Sequence, residues 1–208
     1  MAKKIYDITP VVSPRLSVWP GDTGMSREVL LDTEKGDNIT LSTIRATVHL
    51  GAHVDAPNHY GKGVEGMGTR SLEYYLGTCQ VIKVEINRGE RIYPDRLKTE
   101  ITELRVLFST GTYPDPENFN EDFAALSAEL INYLHEKNVL LVGIDTPSID
   151  TFDSKDLPSH KAVLKNNMAI LEGIVLTGVP DGAYELIALP LKLEDFDASP
   201  VRAILREI

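Results

Sequence analysis

The stretch His49-Leu-Gly-Ala-His53-Val-Asp55-Ala-Pro57-Asn-His59 gathers three of the chain's five histidines and a carboxylate into one short segment. Imidazole together with carboxylate suits zinc and neighbouring first-row divalent ions, whereas calcium and magnesium prefer oxygen ligands. In an extended chain His49, His53, Asp55 and His59 leave from one face, because successive side chains alternate. A helix would also join His49 to His53, but Gly51, Pro57 and the β-branched Val48 and Val54 are poor helix formers, so strand and loop are expected. A straight strand would set those two imidazoles about 13 Å apart, on opposite sides of one ion and against the tetrahedral geometry of zinc. The chain is therefore expected to curl near Gly51, where glycine tolerates the angles required. Asp55 then lies between the outer histidines, with two oxygens to serve one ion or bridge two.

Working outward, the 208 residues, 42% hydrophobic and 25% charged, describe an ordinary globular chain, read as one domain over 1–208. A net charge of -10 with no long Lys/Arg run argues against nucleic acid or an anionic membrane as partner. Met1–Asp7 lacks the apolar region of a secretory signal, and no apolar run is long enough to span a bilayer. Cys79 is the sole cysteine and cannot form an internal disulfide, so a cytoplasmic setting is expected.

Strands are expected over Ile5–Val12, Glu28–Leu31 and Ile39–Val48, the last feeding into the histidine stretch, then over Val81–Ile86 and Arg105–Thr110. Ser71 caps a short helix through Tyr75 that Gly77 ends. The run Tyr60–Gly68 is glycine-rich but lacks the ending of a phosphate loop, and reads as a mobile loop near the site. Phe123, Leu126, Leu130, Ile131 and Leu134 recur at helical spacing, predicting a helix from Glu121 to Lys137 capped by Asn120, with His135 as a solvated surface residue. Val139–Ile144 reads as a strand buried on both faces, followed by a Pro/Ser/Asp-rich loop from Asp145 to His160, with closing strands at Leu186–Leu193 and Val201–Leu205. Glu172 interrupts the apolar Met168–Leu171 and Gly173–Leu176, so it is paired, protonated or metal-bound, unless a helix turns it to water. The fold class is α/β (α+β), with a mostly β core.

The histidine stretch resembles the His-x-Gly-Thr-His-x-Asp-x-Pro-x-His signature of the cyclase-like metal-dependent hydrolases, with Ala52 in place of the usual Thr. Within that superfamily the chain most resembles the bacterial kynurenine formamidases, or arylformamidases. Supporting segments are Trp19-Pro-Gly-Asp22, Leu141-Val-Gly-Ile-Asp-Thr-Pro-Ser148, Asp153-Ser-Lys-Asp-Leu-Pro-Ser-His160, Ile170-Leu-Glu172, Leu186-Ile-Ala-Leu-Pro-Leu191 and Ser199-Pro-Val-Arg202.

The resemblance implies a swivelling β/β/α architecture, a homodimer and two Zn²⁺ per subunit, with Mn²⁺ or another divalent metal as the alternative. It assigns His49, His53 and Asp55 to one ion, Asp55 and His160 to the second, and Glu172 to both. Such ions furnish a nucleophile at neutral pH and polarise an amide carbonyl. It further assigns His59 to carrying a proton from attacking water to the departing aniline nitrogen, and Trp19 to the substrate pocket. The implied reaction is hydrolysis of N-formyl-L-kynurenine to L-kynurenine and formate, a step in tryptophan breakdown. An arginine for the substrate carboxylate is a further expectation, with no position singled out. Ala52 lacks a hydroxyl that could orient a ligand, so metal affinity is expected to be weaker than with Thr.

Competing hydrolytic chemistries lack their motifs: the chain has no Gly-x-Ser-x-Gly and no His-Glu-x-x-His. Two alternatives stay open, a cyclic-amide hydrolase resembling isatin hydrolase and a non-catalytic metal-binding protein whose site is closed by protein ligands.

Overall fold

The most continuously apolar segments form the parallel centre of a nine-stranded sheet, where both faces are covered. The computed structural model describes residues 3–208; Met1 and Ala2, which open the segment read against a secretory signal, lie outside the described residues. In chain order the strands are β1 (Ile5–Asp7), β2 (Ser26–Leu31), β3 (Leu41–Arg45), β4 (His53–Asp55), β5 (Leu76–Lys83), β6 (Arg91–Ile92) and β7 (Arg105–Ser109). They continue as β8 (Ala125–Leu126), β9 (Leu141–Ile144), β10 (Ala169–Glu172), β11 (Gly182–Ile187), β12 (Ala198–Pro200) and β13 (Ile204–Glu207). The α-helices are α1 (Pro57–Tyr60), α2 (Ala128–Glu136) and α3 (Pro158–Lys165).

The main sheet runs β1-β13-β11-β5-β7-β9-β10-β4-β12. Its centre, β5-β7-β9-β10, is parallel, and both flanks are antiparallel. Alternation along the central strands feeds two cores. Leu107, Leu141 and Leu171 join Ile8, Val54 and Leu186 on one face. Val106, Phe108, Val142 and Ile170 face the other, where Leu130, Ile131 and Leu134 of α2 and Val163 of α3 cover them. This is the expected α/β class with a mostly β core. Among the described residues no helix is long and apolar enough to cross a membrane.

The predicted Glu121–Lys137 helix is corrected to Ala128–Glu136. Phe123 and Leu126 are buried, but on an extended arm: Ala125–Leu126 pairs with Arg91–Ile92, and Leu126 N–H donates to Ile149 O. Tertiary pairing thus overrides helical spacing, and Ser127 rather than Asn120 caps the helix, accepting from Leu130 N–H at 3.0 Å. His135 is exposed, as expected. The strand predicted over Ile5–Val12 stops at Asp7, and Gly77 lies in β5 beneath the Arg105 side chain rather than ending a helix. The closing strands are shifted, to Gly182–Ile187 and Ile204–Glu207, and β12 between them was not predicted.

Candidate metal centre

The centre lies where β4 is clasped between β10 and β12. Glu172 pairs across with His53, and Ala198 with Asp55, so strand register alone sets two carboxylates and an imidazole side by side. The curl expected at Gly51 is present, with φ +58°. Gly173, at φ +65°, packs so closely on it that a Cβ there would overlap the carbonyl oxygen of Gly51. The histidine stretch is strand and loop only as far as Ala56. Pro57 occupies the first helical position of α1, where its missing N–H costs nothing, and His59 rides on that short turn. His160 projects from the first turn of α3 rather than from a loop.

The orientation of three rings is the informative geometry. His53 Nδ1 lies 2.8 Å from Gly51 O and His160 Nδ1 lies 2.8 Å from Asp150 Oδ2, so in each ring Nδ1 donates outward. Their Nε2 atoms turn inward, His53 to Glu172 Oε2 at 3.3 Å and Asp55 Oδ1 at 3.6 Å, His160 to Asp55 Oδ2 at 3.6 Å and Glu172 Oε1 at 3.7 Å. His49 is reversed, with Nε2 on Asp197 Oδ2 at 3.0 Å and Nδ1 toward Asp55 Oδ1 at 3.2 Å. A ring tied outward by one nitrogen and presenting the other inward is the habit of metal-bound histidine.

Asp55 is only 1% exposed, yet neither of its oxygens accepts a hydrogen bond. The neighbouring imidazoles meet it as ion pairs rather than as aligned donors. A buried carboxylate so placed needs a cation, and the donor set fits one: His49, His53 and Asp55, and separately Asp55, His160 and Glu172, each bring their ligand atoms within 4.8 Å of one another. Glu172 is steadied by Ile149 N–H, which donates to Oε1 at 2.6 Å.

The acidic field acts on the rings. Burial opposes the charged form of His49, but Asp55, Asp197 and Glu172 raise it to about 9. Burial opposes the charged form of His160 too, and Asp150, Asp55 and Glu172 raise it to about 10. Against its own burial, Asp55 is held well below the usual carboxylate range by His160, His49 and His53. Cys79 is buried, and burial pushes its thiol up to about 12, which disfavours the thiolate a nucleophile needs.

A cavity of about 690 Å³ opens onto the centre, touching His49, His53, His59, His160 and Glu172. Trp19 lines it, 37% exposed, with its ring 5.0 Å from Phe152 and 5.7 Å from Phe119. The expected arginine is not found: among the described residues no arginine or lysine lines this cavity, which carries Asp22 and Asp145 instead. Ala52 is buried in the apolar cluster with Ile8 and Val54.

Two carboxylates went unnoticed in the sequence. Asp150 is buried beneath His160, where it also accepts from Ser159 N–H, His160 N–H and Arg91 Nη1. Asp197 touches both His49 and His59. Neither stands in a local pattern that separates it from the chain's 31 acidic residues; only the fold brings them in.

Comparison with known proteins follows the same lines. The Cyclase family model matches residues 6–151. The chain belongs to the cyclase family. Relatives of this cyclase-family chain include the kynurenine formamidase of Bordetella petrii, 42% identical over 208 residues and 99% of each chain. That of Polaromonas naphthalenivorans is 42% identical over 207 residues, covering 99% of this chain and 92% of the relative. Among solved structures, one described as a potential metal-dependent hydrolase with cyclase activity superposes with a TM-score of 0.86 at 30% identity, covering 100% of this chain and 99% of that one. An isatin hydrolase bound to thioisatinate superposes at 0.84 with 21% identity, covering 99% and 92%, a likeness of fold.

Proposed function

We propose that this cyclase-family chain is a metal-dependent amidohydrolase that converts N-formyl-L-kynurenine to L-kynurenine and formate at two zinc ions, within tryptophan degradation. The observation that carries the reading is Asp55: a buried carboxylate with two unpartnered oxygens, encircled by imidazoles turned toward it, in a chain 42% identical end to end to kynurenine formamidases.

His49, His53 and Asp55 would hold one ion, with Asp55 shared to a second beside His160 and Glu172. When bound, the ions supply Lewis acidity toward the formyl oxygen and activation of water. The chain's own residues do the rest. His59, on α1 at the rim, is 4.3 Å from His49 between ring centroids and close enough to the centre to take a proton from water and return it to the aniline nitrogen. Trp19 offers the substrate's aryl ring a stacking face, and a cavity of about 690 Å³ is of the size that holds small ligands. The homodimer belongs to the same reading. Among the described residues the β2–β3 ribbon pairs with no other strand, and it leaves Val29 and Ile44 exposed on one face, apolar side chains for a second copy to cover. Sedimentation should then give twice the 23.0 kDa chain mass.

The reading is tested by assaying purified protein side by side on N-formyl-L-kynurenine and isatin. The formyl substrate should be turned over at least a hundredfold faster by kcat/KM. Preference for isatin would replace the proposal with cyclic-amide hydrolysis, and metal binding without turnover of either would point to a non-catalytic role.

A further inference from the structure

We propose that Asp197 is a positioning residue whose single carboxylate holds the rings of both His49 and His59. The inference rests on the reading of His59 as the proton carrier, and adds the group that aims it.

The placement is built into the backbone. Asp197 immediately precedes β12, and its carbonyl oxygen accepts from Ala56 N–H at 2.8 Å; Ala56 O in turn accepts from His59 N–H at 3.0 Å. Phe196 O accepts from Met67 N–H at 2.8 Å, tying the same segment to the far end of the glycine-rich loop. The segment carrying the carboxylate and the turn carrying His59 are therefore anchored to each other independently of any side chain. From that anchorage Oδ2 reaches His49 Nε2 at 3.0 Å and His59 Nδ1 at 3.5 Å.

The other two rings at the centre each have an outward acceptor of their own, Gly51 O for His53 and Asp150 for His160. One oxygen of Asp197 serves the remaining pair. His59 Nδ1 faces the carboxylate at ion-pair distance, which leaves Nε2 to exchange protons. A carboxylate so placed fixes the ring from behind, the orienting role an aspartate has behind a catalytic histidine. Asp197 is 46% exposed at its side chain, so its effect is expected through ring orientation more than through the stability of the fold. His49, His59 and Asp197 also bring ligand atoms within 4.8 Å of one another, so the competing use of Asp197 is as a metal ligand.

The experiment is a double-mutant cycle on the zinc-loaded protein, with N-formyl-L-kynurenine as substrate and metal per chain determined on every sample. At saturating zinc, Asp197→Ala should lower kcat about 10–100-fold with KM within about threefold and two metals still bound per chain, the range seen when a ring's outer partner is removed. Asp197→Asn, which keeps an oxygen acceptor, should recover part of that loss. Added to His59→Ala, Asp197→Ala should cost less than about threefold more, because the ring it aims is gone. The proposal is overturned by wild-type kcat in Asp197→Ala, by an undiminished loss in the His59→Ala background, or by loss of a metal equivalent that saturating zinc does not restore, which would make Asp197 a ligand. Wild-type activity in His59→Ala would instead remove the reading of His59 itself, and the proposal with it.

Discussion

Replacing Asp150 with Asn tests how far the centre depends on what lies behind it. Asp150 is completely buried and accepts from Arg91 Nη1 at 2.6 Å, His160 Nδ1 at 2.8 Å, and the N–H groups of Ser159 and His160 at 3.1 Å each. Asparagine keeps the shape but brings an amide N–H₂ among donors and leaves Arg91 without its counter-charge. Although burial works against it, His160 and Arg91 move the Asp150 carboxyl from its ordinary 3.8 to about 2, which corresponds to about 2 kcal/mol in favour of the ionised form. We therefore expect Asp150→Asn to destabilise the metal-free protein by about 2–3 kcal/mol at neutral pH. The folded-state value is depressed, so this stability is fully present above pH 3.8 and is lost as pH falls through about 2. With His160 no longer oriented, affinity for the second metal should fall about 10–100-fold. Urea unfolding of chelator-treated protein gives the first quantity and chelator competition the second. A stability change under about 0.5 kcal/mol with unchanged metal affinity would refute the reasoning.

Further outcomes follow from the same geometry. Gly173→Ala places a side chain at φ +65° against the Gly51 carbonyl, and should cost about 2 kcal/mol or more and lower metal content, measured by thermal unfolding with metal analysis; a wild-type melting temperature would contradict it. In the metal-free centre His49 and His160 keep their protons up to about 9 and 10, so metal must displace them: apparent affinity by chelator competition should rise between pH 6.5 and 8.5, and a flat profile would argue against these ligands. Trp19→Ala removes a stacking face worth about 1 kcal/mol, so KM should rise about fivefold with kcat little changed; a fall in kcat alone would move Trp19 from binding to chemistry.

What could be read in advance was local. The curl at Gly51 followed from asking how His49 and His53 could share an ion, and the doubly buried β9 and the polar interruption at Glu172 followed from apolar runs that only a covered strand sustains. The misreadings share one cause, pairing between distant segments. Phe123 and Leu126 obey helical spacing, yet the arm they lie on is claimed by β6 and by Ile149. Asp150 and Asp197 reach the histidines only because β10, β4 and β12 lie side by side and α3 folds back over Asp150. No spacing along the chain encodes such neighbours. The missing arginine is of the same kind: Arg70 and Arg105 are buried, but their contacts hold the Met168 carbonyl and the Tyr74–Thr78 backbone.

The central claim is a pair of metal ions shared by Asp55. It is tested most directly by anomalous scattering at the zinc edge from crystals of the zinc-loaded protein, with kynurenine release from N-formyl-L-kynurenine followed as zinc is titrated into the chelated enzyme. The account predicts two peaks, one bounded by His49, His53 and Asp55 and the other by Asp55, His160 and Glu172, with turnover rising as they fill. A single peak at His49, His59 and Asp197, or full turnover by metal-free protein, would contradict it.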